Sequence, residues 1–142
     1  SANLEAMAQI TKMQYYITAC SNDAMQYAVL TAMEEAPDYP DIIANEFMER
    51  CEIIVERLNN MPGVKCHKPK GAIYVFPKVH VEGMNSEEIA LELLKDGVLC
   101  SPGSAFGPSG EGHLRFAYTI SKEDILHGMD KVEATLNRLN GL

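Results

Sequence analysis

Helices packed on a short mixed or antiparallel sheet, an α/β sandwich of two layers with a helical segment ahead of it, is the fold the sequence predicts. Three features point to it. Apolar residues recur every three or four positions along several long stretches, the spacing of helices with a buried face. Two other stretches, GAIYVFPKV (71–79) and HLRFAYTI (113–120), are rich in β-branched and aromatic residues and read as strands. The patterns follow one another as helices, then strand, helix, strand, strand, helix, an order that stacks helices on one small sheet.

Residues 3–35 form two helical pieces. The second, NDAMQYAVLTAMEEA, opens on the capping residues Asn22 and Asp23. It is apolar nearly all round, and a helix without a polar face is normally sandwiched between two layers. PDYPD (37–41) breaks the pattern, separating a segment 1–36 from the remainder, 37–142. A long amphipathic helix over 41–60 follows, with Ile43, Phe47, Ile54 and Leu58 on one side and solvated acids on the other; Pro62 and Gly63 end it. Val64–Cys66 predicts a short strand, and GAIYVFPKV, apolar on both faces, predicts a central strand covered on both sides. SEEIALELLKDG is a compact helix with Ser86 as its cap, Glu87 and Glu88 in its positive first turn, and Gly97 at its end. VLCSP gives another short strand. Ser121 caps a last helix whose Ile125, Met129, Val132, Leu136 and Leu139 face the core.

With 142 residues, 46% hydrophobic and 23% charged, the chain has the composition of an ordinary globular domain able to bury a core. A net charge of −8 argues against nucleic acid or an anionic membrane as partner, and no apolar run approaches a membrane span. Cys20, Cys51, Cys66 and Cys100 lie too far apart in sequence for a clustered metal site. Scattered thiols without a signal peptide predict buried structural cysteines in a reducing, cytoplasmic protein.

The stretch PGSAFGPSGEGHLRFAY combines a glycine-rich loop with a strand that carries one arginine, Arg115. Alternation sends Leu114, Phe116, Tyr118 and Ile120 to the core and His113, Arg115, Ala117 and Thr119 to the other face. Arg115 is there either as a solvated strand arginine or as a clamp for a planar anion, since a guanidinium matches a carboxylate bidentately. The loop fits neither G-x-G-x-x-G nor a P-loop. His113 shares the face of Arg115 and is within reach of a ligand bound there. Arg50, Arg57 and Arg138 lie on helices among polar neighbours and read as solvated.

Pro102, Gly103, Phe106, Gly107, Leu114, Arg115 and Phe116 reproduce a P-G-x-x-F-G…L-R-F arrangement, and Pro69, Gly71, Ala72 and Tyr74 a P-x-G-A-[FM]-Y strand, with Ile73 in the variable place. ITACSNDAMQYAVLTAM adds a T-S-C-x-N-x-x-x-Q-x-A segment. In these motifs the sequence resembles the C-terminal small domain of class I/II, fold type I aminotransferases that use pyridoxal 5'-phosphate (PLP), the aspartate aminotransferase family. The resemblance covers nearly the whole chain. It implies that Arg115 binds the substrate α-carboxylate, with Gly71, Tyr74, Ser104 and Phe106 as pocket neighbours. It also implies amino acid and 2-oxo acid substrates, a homodimer, and a large PLP-binding domain in the same polypeptide.

The family's Schiff-base lysine sits in an S-K-x-x-x-x-G-x-R segment with no counterpart here. Lys12, Lys65, Lys68, Lys70, Lys78, Lys95, Lys122 and Lys131 all lack that setting. The resemblance therefore implies a fragment with no catalytic lysine, no cofactor-binding residue and no metal site, inactive alone. Two alternatives stay open: a non-enzymatic module binding amino acids or small carboxylates, and a piece of a PLP lyase of the same fold. Segment 1–36 would pack on the large domain, and without it would expose apolar surface. Self-association through that segment is expected, so that sedimentation shows a smaller species once residues 1–35 are removed; an unchanged oligomeric state would refute it.

Overall fold

The computed structural model describes residues 3–142; the first two residues of the predicted segment 1–36 lie outside them. The chain forms two compact units, one ending at Asp41 and the other spanning Ile42–Leu142.

The first unit consists mainly of α1 (Leu4–Thr18) and α2 (Asp23–Glu35). Each starts on an asparagine: the Asn3 side chain accepts from the Ala6 amide, and that of Asn22 from the Met25 amide. Such caps satisfy one of the orphan donors of a first turn. Among the described residues, the second helix does not take the predicted position between two layers. Neither α1 nor α2 has a buried residue, and Met25, Tyr27, Val29, Leu30 and Met33 are exposed.

The second unit carries the core. The long helix α3 (Tyr39–Asn59) begins at the end of the first unit; the second continues through β1 (Val64–Lys65), β2 (Tyr74–Val75), β3 (Lys78–Val79), α4 (Ser86–Lys95), β4 (Ser101–Pro102), β5 (Leu114–Ala117) and α5 (Lys122–Asn140). Two 3₁₀ turns, Gly103–Phe106 and Pro108–Gly110, join β4 to β5. One antiparallel sheet has the order β2-β5-β4, with Tyr74 opposite Ala117 and Ser101 opposite Arg115. A second pairs β1 with β3, and a bridge from Lys78 to His113 ties it to the end of β5. Helices supply Cys51, Ile54, Leu58, Ile89, Leu93, Ile125, Met129, Val132 and Leu136 to the core; the strands add Val75, Val79, Leu114 and Phe116. Full burial of one such side chain contributes about 1.5–3 kcal/mol, which makes this contiguous cluster the main source of stability. No helix among the described residues is long and apolar enough to cross a membrane.

Four expectations need correction. GAIYVFPKV is not a covered central strand: it breaks into β2 and β3, and β5 is central. Val75, Pro77 and Val79 are buried, while Tyr74 and Phe76 remain 39% and 40% exposed, so only one face is covered. The extended alternation of the 113–120 stretch ends before Ile120, which is exposed although Leu114, Phe116 and Tyr118 are buried. The cap of α4 is Asn85, not Ser86: Asn85 and Glu88 form a reciprocal capping box, which frees the Ser86 side chain for another contact. Cys20 is exposed in the α1–α2 connection, unlike the buried Cys51 and Cys66 and the half-buried Cys100.

The β4–β5 connection folds back on itself until the backbones at Gly103 and Gly110 touch. A Cβ on Gly103 would lie 1.9 Å from the Gly110 carbonyl oxygen and 2.6 Å from that of His113. Both clashing groups are backbone, so neither can swing aside. Gly103→Ala is expected to lower unfolding stability by about 1–3 kcal/mol, the range for overpacking a closed site. The denaturant midpoint measures this, and an unchanged midpoint would show that the loop opens at little cost.

Candidate functional site

Arg115 leaves β5 between two buried neighbours, Leu114 and Phe116, and emerges half-buried on the opposite face of the sheet. The adjoining strands decide what it meets. Ser101, its register partner on β4, accepts a hydrogen bond from the guanidinium Nη2 at 3.3 Å. Tyr74 on β2 is the diagonal neighbour, and the Arg115 Cζ lies 4.4 Å from its ring centroid. Phe106, from the turn that follows β4, brings a second ring to 4.6 Å. Cation–ring contacts of this kind are worth about 0.5–1 kcal/mol when exposed and more when dry.

Phe106 is itself supported. It meets Phe76 edge to face at 5.9 Å, and Phe76 stacks on the His113 ring at 5.0 Å with an interplanar angle of 8°. His113 thus lies one ring removed from Phe106 and holds Nδ1 3.1 Å from the Glu111 carbonyl oxygen. The outward aromatics of 74–76 and the loop residue Phe106 form one continuous surface around a single cation.

The loop is pinned by the carboxylate of Glu111. It accepts from the Ser86 amide at 2.7 Å, the Ser86 hydroxyl at 3.0 Å and the Gly112 amide at 2.9 Å. Ser86 Oγ in turn accepts from the Ser104 amide at 3.3 Å. The hydrogen bonds from the Ser86 and Gly112 amides hold the Glu111 carboxyl below its usual range. On the other side, Ala72 adopts a left-handed φ of 66°, an unfavourable conformation for a residue with a Cβ. Its carbonyl accepts from the Tyr118 hydroxyl at 2.8 Å. Burial, helped by the Cys51 thiol, pushes that phenol up to about 12, so it stays a donor at neutral pH.

Electrostatically Arg115 differs from the other three arginines. Those predicted to be solvated are in ion pairs: Arg50 with Glu46, Arg57 with Asp130 and Glu133, Arg138 with Glu92 and Asp96. Two further acids of α3 are likewise engaged, Glu49 with Lys122 and Glu52 with Lys68. Among the described residues no carboxylate lies within ion-pair distance of Arg115. A fixed guanidinium without an anion, set among rings, can bind a planar anion along its edge.

Of the residues singled out from sequence, the structure brings Arg115, Tyr74 and Phe106 together. Ser104 contributes backbone hydrogen bonds to the loop, its amide donating to Ser86 and its carbonyl accepting from Gly107. Gly71 lines a separate groove of 690 Å³, together with Phe47, Cys51 and Tyr118 and without Arg115. Sequence reasoning missed Ser101, Phe76 and Glu111. The first two carried a signal, since Phe76 shares the face of Tyr74 and Ser101 lies on a strand next to that of Arg115. Burial pushes the Cys66 and Cys100 thiols up to about 11, which keeps both in the unreactive form.

No family model matches the chain. Individual relatives do. Aspartate aminotransferase of Pyrococcus horikoshii is 38% identical over 135 residues, 93% of this chain and 34% of that protein. Aromatic-amino-acid aminotransferase 2 of Thermococcus litoralis is 33% identical over 131 residues, 90% of this chain and 33% of the relative. Among solved structures, an alanine aminotransferase from Pyrococcus furiosus superimposes with a TM-score of 0.85 at 31% identity, over 97% of this chain and 36% of that one. The chain therefore spans about a third of the length of the relatives it matches.

The Glu111 anchor has a pH signature. Its folded-state pKa lies below the ordinary 4.5, so its stabilisation is present above that value and is lost as pH falls through the lowered one. The Ser86 and Gly112 amide resonances are expected to move together in that acid window, and Glu111→Gln to reproduce the shift at neutral pH. Amides that stay fixed until the whole chain unfolds would exclude a local anchor.

By sequence and by fold, the chain is homologous to the C-terminal small domain of the class I/II, fold type I aminotransferases.

Proposed function

We propose that this domain serves a PLP-dependent aminotransferase, which moves an amino group between an amino acid and a 2-oxo acid, and that Arg115 grips the α-carboxylate of both. The observation that carries this reading is a guanidinium held by Ser101, Tyr74 and Phe106 with no carboxylate within ion-pair distance among the described residues. Donor and acceptor share an α-carboxylate and differ at the α-carbon, so one fixed clamp serves both directions of the reaction. The relatives are named for aspartate, aromatic amino acids and alanine, yet share this third of their length. A part common to such different substrates suits recognition of the group they have in common.

PLP, when bound, supplies the electron sink for this chemistry. Two lysines of this chain and the N-terminus of α4 are poorly suited to holding it. An imine-forming lysine needs its ammonium destabilised, whereas hydrogen bonds that Lys68 and Lys122 donate to the Glu52 and Glu49 carboxylates push both lysines up, toward the charged form. The N-terminus of α4, where a phosphate would find amide donors, already holds the Asn85 side chain and the Glu111 carboxylate. In this reading cofactor and lysine come from another part of the polypeptide, and the 142 residues alone are inactive.

A single charge-assisted interaction contributes about 1.5–3 kcal/mol, while millimolar affinity needs about 4. Pyruvate or alanine should therefore perturb the Arg115 side-chain NMR signals only at tens of millimolar or above, and Arg115→Leu should abolish the response. In the complete enzyme, Arg115→Leu should lower kcat/KM by roughly 10- to 150-fold for amino and 2-oxo acid alike. Equal kcat/KM in the variant, or ligand shifts centred away from Arg115, would sink the assignment.

A further inference from the structure

We propose that Tyr74 and Phe106 are positioning residues that clamp the Arg115 guanidinium between two rings, so that only its edge is open and a planar carboxylate is preferred over a tetrahedral anion of equal charge. The inference rests on the carboxylate reading of Arg115 for its ligand, but the clamp itself is a property of the free protein.

The strand order supplies the geometry. β5 lies between β2 and β4, and the two rings reach Arg115 from those two sides, Tyr74 from β2 and Phe106 from the turn leaving β4. Their centroids lie 4.4 and 4.6 Å from Cζ, within the range of about 6 Å in which a ring attracts a guanidinium. In the proposed clamp the rings cover the guanidinium faces, so the donors that remain lie in its plane; one donor, on Nη2, is directed at Ser101 Oγ. A carboxylate entering in that plane can take two parallel hydrogen bonds. A sulfonate or phosphonate carries a third oxygen out of the plane, into the space that the rings occupy.

Neither ring is held mainly by the core. Tyr74 and Phe106 are 39% and 51% exposed. Phe106 is instead buttressed through Phe76 and His113, and the loop beneath it is closed by the Gly103–Gly110 contact and by Glu111. These supports fix the angle of one ring over one cation.

The test uses this chain and follows the Arg115 guanidinium by NMR, with pyruvate and methanesulfonate as probes. Without ligand, the Arg115 Nε–H signal should sit upfield through the ring currents of both aromatics and should move toward an ordinary arginine value in Tyr74→Leu and in Phe106→Leu. Tyr74→Phe, which keeps the ring, should leave it unchanged. Each leucine variant should weaken pyruvate binding roughly two- to fivefold and narrow the preference for pyruvate over methanesulfonate. The half-exposed positions of both residues leave the fold to the buried face, and the Leu114 and Phe116 amides report whether it is retained. Unchanged guanidinium signals and unchanged pyruvate midpoints in both folded leucine variants would overturn the clamp. A wild-type chain whose Arg115 signals ignore pyruvate would instead overturn the carboxylate reading, while the ligand-free ring-current shift still decides the clamp.

Discussion

Burial of Leu114 and Phe116 leaves Arg115 a single direction in which to point. Successive residues of a strand face opposite sides, so two apolar neighbours fixed in the core hold the cation on the far side of the sheet. Turning the arginine inward would remove both neighbours from the core and bury an unpaired charge, each at a cost of several kcal/mol. A half-buried cation is thus positioned by two buried apolar side chains. Ser101 and Tyr74 follow from the same alternation, because antiparallel pairing sets them beside Arg115 on the same face.

The second constraint is the close approach of Gly103 to Gly110, which turns a flexible sequence into a closed loop. Glycine-rich segments lose much conformational entropy on ordering, so a loop such as this needs strong local contacts to hold one shape. Backbone contact at the glycine pair supplies one, and Glu111 supplies another by bonding Ser86 and Gly112. That carboxylate also sits at the positive end of α4, where a negative charge is favoured. Ser86 takes part because Asn85 serves as the cap.

How much of this could be read from the residues varied with the physical origin of each feature. The helices were legible because amphipathic spacing and capping are local; α5 places Ile125, Met129, Val132 and Leu136 in the core as its periodicity required. The face of Arg115 was legible from a four-residue alternation. The cover over GAIYVFPKV was not. Its outward residues Tyr74 and Phe76 are apolar, and hydropathy does not distinguish a ring packed under a helix from one beside a guanidinium. Partners distant in sequence were also hidden: Arg57 lies on α3 and its acids Asp130 and Glu133 on α5, a pairing that only tertiary structure reveals. Gly71 belonged to the same motif as Tyr74 but lines a different groove, because the chain turns at Ala72 between them.

An open aromatic surface is an unfavourable use of apolar area unless something lies against it. Tyr74, Phe76 and Phe106 are each about 40–50% exposed, and burying them under one more helix would gain the area that they leave in water. Such a helix would also cover Arg115 and force it to find an internal carboxylate or to remain buried without one, the costlier outcome. Against the exposed rings a guanidinium is a good occupant: it is planar, weakly hydrated and able to keep its donors in plane while its faces are covered. A lysine in the same place would offer a compact, strongly hydrated charge with no edge to present. The arrangement therefore gives up some burial and keeps Arg115 oriented and, among the described residues, without a carboxylate partner, which is the property that an anion-binding site requires.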